Sequence, residues 1–313
     1  MRSAVVIGAL AALVLAGSTV GTSRAAFTAH DEFTAVLSTA ADWVAPALTL
    51  TSPADDSFQK STSVTLAGAA GNATGDATTV NVEVYAGAAA TGTPVLTRAV
   101  TRSAATWTTT FTGLAAGTYT ARATQTDTGA NTATTAERTF TIDTTAPTRA
   151  SVSAANGTGT AGHLDAGDTI TFAYSEPMLA SSILTGWTGA SPATVKVRFF
   201  NLVSGDTFTV LDSASAANVK LDAGTTGTGG VALGSSANYV TSTVTFSATM
   251  RLSSDRTSFT VTLGTPNLPS QVVSTAVTAK NMTWTPKTGP TDLAANALAS
   301  TATWTETDSD RDF

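Results

Sequence analysis

The sequence predicts an all-β protein of two tandem β-sandwiches that follow an N-terminal targeting segment. Apolar and polar residues alternate over many short runs, a pattern typical of strands with one buried face. Threonine recurs at every second position over long stretches, and a β-branched, half-polar residue suits the wet face of a strand. The 313 residues are enough for two domains of ordinary size and a short additional segment.

Composition and charge exclude several function classes. Charged residues make up 12% of the chain and the formal net charge is −6, whereas a nucleic-acid partner would favour a basic patch. The chain has no cysteine. Disulfides, a lipid anchor on cysteine, thiolate metal sites and cysteine nucleophiles are therefore all excluded. Stability must come from two apolar cores of adequate size.

Residues 1–25 have the pattern of a secretory signal peptide. A positively charged start precedes an apolar stretch at residues 4–16, and small residues precede a cleavage site between Ala25 and Ala26. The apolar stretch is shorter than the roughly 18 residues of a membrane-spanning helix. We therefore expect a secreted, extracellular or cell-surface protein with no stable membrane span after the signal is removed.

Residues 26–45 form a leader segment that begins "AFTAHDEFTAVL". Its start resembles the mature N-terminus of camelysin-type biofilm fibre proteins, in which an "AxFT" sequence follows the signal. That resemblance implies self-association by strand addition to the sheet of a neighbouring subunit. The alternative is a flexible leader that tethers the first domain.

Residues 46–144, called domain one below, contain short alternating runs separated by turn residues. In one of them Val80, Val82 and Val84 are predicted to point inward. Such a set of short strands in about 100 residues is typical of an immunoglobulin-like sandwich. The seven runs are "ALTLT", "TSVTLAG", "TTVNVEVYA", "VLTRAVTR", "TWTTTFT", "GTYTARATQTD" and "ERTFTID".

The end of domain one resembles the last two strands of a bacterial Ig-like domain. The resemblance rests on "GLAAGTYT", the turn "DTGAN" and the closing "FTIDTTAP". It implies a spacer or surface-binding role and no catalysis. In the closing motif, Asp143 can bond its own backbone in a turn and Pro147 stops ladder propagation. The segment between them is therefore predicted to link two domains.

Residues 145–306, called domain two below, are predicted to form a second Ig-like sandwich with insertions, followed by a polar tail at 307–313. The predicted strand runs include "RASVSA", "DTITFAY", "TVKVRFF", "DTFTVLD", "NYVTSTVTFSATMRL" and "TSFTVTLG". The segments "LDAGDTITFAYSEPM" and "TDLAANALAS" resemble the Ig-like domain of bacterial S-layer and surface proteins. The span between them is longer than in that family, which predicts an inserted hairpin.

Few residues suggest chemistry. Glu176 follows a predicted strand, but no second carboxylate motif accompanies it as a glycosidase requires, so we interpret it as a turn residue. No G-x-S-x-G nucleophile motif is present. We therefore predict that the chain is not an enzyme and needs no cofactor.

Two binding sites are nevertheless considered. Asp143 in the linker, with Asp165 and Asp168 in the loop "LDAGD", could supply oxygen ligands to Ca²⁺ between the domains. Trp187 lies between glycines in a predicted loop and is the candidate for an exposed sugar contact.

The sequence thus favours a non-catalytic structural or adhesion module. Its expected partners are cell-surface or matrix components, including polysaccharide. The alternatives are a secreted carbohydrate-binding or carbohydrate-active protein, and a fibre subunit that assembles through residues 26–45.

Overall fold

A computed structural model describes residues 44–307 and 313 of the chain. The predicted signal peptide with its cleavage site at Ala25 and Ala26, almost all of the leader at 26–45, and residues 308–312 of the tail lie outside the described residues. Those expectations stay predictions.

Domain one is a sandwich of two unequal sheets. The larger sheet has the order β1-β8-β6-β3-β4, with β7 added on β6, and the smaller sheet pairs β2 with β5. The strands are β1 Ser57–Gln59, β2 Val64–Ala69, β3 Thr79–Ala86, β4 Leu96–Thr101, β5 Thr106–Phe111, β6 Gly117–Thr126, β7 Thr132–Thr134 and β8 Arg138–Ile142.

Alternation along the strands builds the core of domain one. Val80, Val82 and Val84 of β3 are fully buried, as the sequence predicts, and they face Leu66 and Trp107 of the smaller sheet. The run "ALTLT" is not a strand in the structure, although Thr49 and Thr51 donate backbone hydrogen bonds to β2. β1 and β7 have three residues each and show too little alternation to be predicted.

Domain two is one nine-stranded sheet with the order β17-β16-β13-β12-β11-β14-β15-β10-β9. The loops between these strands contain one short helix, α1 (Ala180–Ile183), and a 3₁₀ turn, Pro269–Gln271. The strands are β9 Arg149–Ala155, β10 Thr169–Tyr174, β11 Ala193–Phe200, β12 Thr207–Asp212, β13 Val231–Ala232, β14 Val244–Leu252, β15 Ser258–Pro266, β16 Thr283–Trp284 and β17 Trp304–Thr305.

This sheet folds back on itself, so that its two ends supply the two layers of the sandwich. The ring of Trp284 on β16 packs edge-on against Phe172 and Tyr174 of β10, with ring centroids 5.4 and 5.6 Å away. Such edge-to-face contacts are favourable beyond the apolar area that they bury. The all-β architecture predicted from the sequence is confirmed.

Two predictions, one for domain two and one for the tail, are wrong in detail. The run "NYVTSTVTFSATMRL" predicts one long strand, but only Val244–Leu252 is a strand, because residues 238–243 contain an isolated bridge at Val240 and a bend at 241–242. The polar composition of the tail at 307–313 predicts a solvated terminus. Phe313 is instead fully buried, and its ring packs against Phe199 and Tyr239.

Domains one and two belong to one compact unit. Backbone hydrogen bonds join the start of domain two to its far end, since the N–H of Ala299 donates to the carbonyl of Pro147. The N–H of Thr148 donates to the Ser175 hydroxyl, and the N–H of Ser175 returns a bond to the Thr148 carbonyl. The linker is thus tied to two loops of domain two. Among the described residues, no helix has the length and apolarity to cross a membrane.

Candidate metal centre at the junction

Three carboxylates from distant parts of the sequence meet where the two domains join. Asp143 lies just after β8, Glu176 lies just after β10, and Asp292 lies in the last large turn of domain two. One oxygen from each carboxylate lies within 4.8 Å of the others. We call these three residues the junction triad.

Asp143 is held by hydrogen bonds to its backbone N–H, its carboxylate and its backbone carbonyl. Its N–H donates to the carbonyl of Gln59 on β1, and its carboxylate accepts from the N–H of Thr145 at 3.0 Å. The second bond closes an Asx turn, as the sequence predicts for an aspartate at this position. Its carbonyl accepts from the side-chain amide of Asn296 at 2.8 Å, which joins domain one directly to domain two.

Asp292 is buried, with 1% of its surface exposed, and it is fixed by the same Asn296. The backbone N–H of Asn296 and its side-chain amide each donate to one carboxylate oxygen of Asp292, both at 2.8 Å. In domain one, Asp127 and Asn131 make the same pair of bonds at the same distances. Both domains therefore carry one D-x-x-A-N turn. Among the described residues, the aspartate of the second turn lies beside two further carboxylates, and that of the first turn belongs to no such group.

Glu176 is the least satisfied member of the junction triad. Its Oε1 atom is buried and has no hydrogen-bond partner. Burial, followed by the negative charges of Asp143 and Asp292, raises the pKa of Glu176 to about 7. Within the described residues the one ion pair joins Arg122 to Glu83 in domain one, so no basic side chain neutralises the triad.

The triad has the chemistry of a calcium site. Ca²⁺ prefers carboxylate and carbonyl oxygens at about 2.3–2.6 Å, so ligands on opposite sides of the ion lie up to about 5 Å apart. The 4.8 Å limit on the three oxygens agrees with that span. A buried carboxylate oxygen without a donor is also the atom that a cation would satisfy. Asp143, Glu176 and Asp292 would be the protein ligands.

The sequence alone points to one of the three residues of the junction triad. The linker motif predicts Asp143 as a candidate ligand, whereas the local sequence around Glu176 indicates a turn residue without an acidic partner. The bend at Glu176 is present, but its two partners come from segments that no local motif connects. One sequence signal for Asp292 was available, namely the recurrence of the D-x-x-A-N motif. In the structure, Asp292 of the second copy forms an isolated bridge with Met178, two residues after Glu176.

The prediction for Asp165 and Asp168 needs correction, because neither residue belongs to the triad. Asp168 is fully buried, and its carboxylate accepts from the backbone N–H groups of Gly157 and Asp165 at 2.9 and 2.6 Å. Asp165 accepts from the N–H of Thr160 at 3.2 Å. These carboxylates hold the loop before β10 in place. Burial raises the pKa of Asp168.

The expectation of an exposed indole at Trp187 is also corrected. The side chain is 9% exposed, and its ring lies 6.0 Å from that of Phe259 in the core of domain two. Its ring N–H donates to the carbonyl of Ser191 at 2.8 Å. Trp187 therefore closes the loop between α1 and β11.

A conservative change tests this structural role of Trp187. Trp187→Phe keeps an aromatic ring against Phe259 but loses the hydrogen bond to Ser191. We expect a loss of about 1–2 kcal/mol in the free energy of unfolding. Chemical denaturation measures it, and an unchanged midpoint would contradict the buried position.

The two D-x-x-A-N turns contain alanine in the left-handed region, where glycine is favoured. Ala130 has φ 66° and Ala295 has φ 65°. We expect Ala295→Gly to stabilise the protein by about 0.5–1 kcal/mol, because relief of backbone strain exceeds the added entropy of the unfolded chain. Ala294→Gly is the matched control, since Ala294 is buried and has no positive φ, and it should destabilise. Denaturation midpoints of the two variants should move in opposite directions.

Comparison with known proteins bears on domain one. Residues 47–144 match the sequence profile described as "Bacterial Ig-like domain". Residues 47–144 are a bacterial Ig-like domain. This Ig-like domain covers nearly all of domain one as the sequence analysis bounded it, and its resemblance to that family is confirmed. Ig-like domains often serve as surface or structural modules, and they are typically non-catalytic.

A solved structure matches the chain with low sequence identity and a low TM-score. The fibronectin(III)-like modules of CbhA from Clostridium thermocellum match with 12% identity and a TM-score of 0.26, over 70% of this chain and 89% of that one. A search among curated proteins gave no match.

Proposed function

We propose that this chain is a secreted, non-catalytic structural module of the cell surface or extracellular matrix, whose two domains are held in one orientation by Ca²⁺. The single observation that supports it is the junction triad, in which Glu176 Oε1 is buried without a partner between Asp143 and Asp292. A cation there would bridge the linker to two loops of domain two. The signal-peptide pattern at 1–25 and the Ig-like domain support the location.

The partners of such a module are components of the surface or the matrix, including polysaccharide. Self-association by residues 26–45 stays a prediction, because that segment lies almost wholly outside the described residues. A carbohydrate-active enzyme would need an assembled pair of catalytic carboxylates in a cleft. The carboxylates of the junction triad instead lie where the two domains join.

Spin labels test whether Ca²⁺ fixes the junction. The chain has no cysteine, so Thr97→Cys and Thr249→Cys would place one label on an exposed strand position of each domain. We expect a narrow distribution of label–label distances in Ca²⁺ and a broad one in a chelator, measured by pulsed electron paramagnetic resonance. Equal distributions under both conditions would reject the proposal.

Two variants sharpen that experiment. In the labelled chain, Glu176→Gln should give the broad distribution even in Ca²⁺, because it removes one charged ligand. Asp165→Asn is the matched control, since it removes a carboxylate of domain two that lies outside the triad. It should behave as the parent does.

A further inference from the structure

A polar groove crosses the outer face of the domain-two sheet, away from the junction. Its floor is formed by Lys196 and Arg198 of β11 and by Thr245 and Ser247 of β14. Its volume is about 450 Å³, which is in the range of ligand clefts. Ser215, in the loop between β12 and β13, lines it from one side, and the end of β15 lines it from the other.

The two basic side chains of this groove keep donors available. The side chain of Lys196 makes no hydrogen bond or ion pair with any described residue. Arg198 donates from Nε to the Thr245 hydroxyl at 3.2 Å and from Nη1 to the carbonyl of Thr226 at 2.7 Å. Its Nη2 group has no bond to a described residue. The bond to Thr226 fixes the guanidinium against the loop wall, so its remaining N–H groups are oriented before a ligand binds.

The charge of the groove is opposite to that of the whole chain. The formal net charge of the protein is −6, yet no carboxylate among the described residues lines the groove. Lys196 and Arg198 are two positions apart on one strand, so their backbones are about 7 Å apart and their side chains share a face. The groove therefore presents two neighbouring positive charges among hydroxyl and amide groups.

The chemistry of the groove lining favours a sugar chain over a peptide strand as the ligand. β11 is hydrogen-bonded to β12 on one side and to β14 on the other, so its backbone is not free to pair with an added peptide strand. Only side-chain donors and acceptors are offered. Hydroxyl, amide and cationic groups complement the hydroxyls and carboxylates of an acidic sugar chain.

We infer that this groove binds a carboxylated polysaccharide, with Lys196 and Arg198 each contacting a carboxylate of the sugar chain. The inference does not depend on the junction triad, because no triad residue lines the groove. The groove would thus bind a ligand of a different class from the cation at the junction.

Fluorescence anisotropy with labelled alginate oligomers, a polyuronate, tests the inference on the full chain at low ionic strength. We expect saturable binding that Lys196→Glu weakens about tenfold or more, since one charge-assisted hydrogen bond is lost and a repulsion added. Lys196→Gln should weaken it less. Arg251→Glu is the matched control, because Arg251 is exposed on the same strand face as Ser247 but does not line the groove.

Four results would overturn the inference: no binding of alginate by the parent protein, unchanged affinity in both Lys196 variants, an equal loss in Arg251→Glu, or equal affinity for poly-glutamate. The last two would indicate unspecific attraction of polyanions. Neutral dextran should not bind. Melting curves verify that each variant is folded. In the spin-labelled chain, the distribution of label–label distances in Ca²⁺ should be the same in all of them.

Discussion

Glu176→Gln is expected to stabilise the protein in a chelator, and Ca²⁺ is expected to remove most or all of that advantage. In a chelator at about pH 8 the variant should be more stable than the parent by roughly 1–2 kcal/mol, because it removes a charge held between two other carboxylates. That figure is reduced from the full pKa shift because the side chain is partly exposed. In Ca²⁺ the parent gains about 1.4 kcal/mol at ten times the dissociation constant, and the variant should gain much less.

The stability advantage of Glu176→Gln in a chelator should increase with pH. The pKa of Glu176 is raised from 4.5 to about 7, so without a cation the folded protein keeps a proton that the unfolded chain releases. Its contribution to stability is complete below about pH 4.5 and is lost as pH rises through about 7. The difference in stability between parent and Glu176→Gln should therefore grow over this window in a chelator. A constant difference, measured by calorimetry, would contradict a raised pKa of Glu176 in the folded protein.

Asp222→Ala is expected to cost about 3–5 kcal/mol in the stability of domain two. Asp222 is fully buried in the loop between β12 and β13, and its carboxylate accepts from the Thr209 hydroxyl at 2.6 Å. It also accepts from the backbone N–H groups of Val210 at 3.0 Å and Gly224 at 2.8 Å. Removal of the carboxylate leaves three buried donors without an acceptor, and each costs about 1–3 kcal/mol.

Calorimetry of the full chain measures the effect of Asp222→Ala. The matched control is Asp212→Ala, because Asp212 is partly exposed and its side chain accepts one bond, from the N–H of Ala216 at 2.9 Å. The control should cost less than about 1 kcal/mol. Similar losses in both variants would show that the buried carboxylate does not hold this loop on β12.

Local patterns in the sequence predict the long strands but not how the loops pack. β3 and β10 follow from strict alternation, because one face of each strand is buried and the other is wet or half-buried. β13, β16 and β17 have two residues each, too few for any period to be seen. The packing of the Asp222 loop over β12 was equally hidden. The alternation of Thr207–Val210 predicts one wet face, whereas Thr209 on that face is fully buried.

The junction triad could be predicted only in part for a related reason. Asp143 stands in a recognisable linker motif, but the other two carboxylates of the triad come from loops far along the chain. Pairing Glu176 with Asp292 requires the folded-back sheet of domain two, which places the end of β10 beside the last turn. Trp187 shows the opposite error, because neighbouring glycines suggested exposure while Phe259 in fact buries the ring.

Isothermal titration of the parent protein with Ca²⁺ tests the central claim most directly. We predict one site, with a dissociation constant of about 10⁻⁴–10⁻³ M as in other extracellular modules. Glu176→Gln should abolish or greatly weaken it, and Asp165→Asn should leave it unchanged. The account is contradicted if the parent binds no Ca²⁺, or if Glu176→Gln binds it as tightly as the parent.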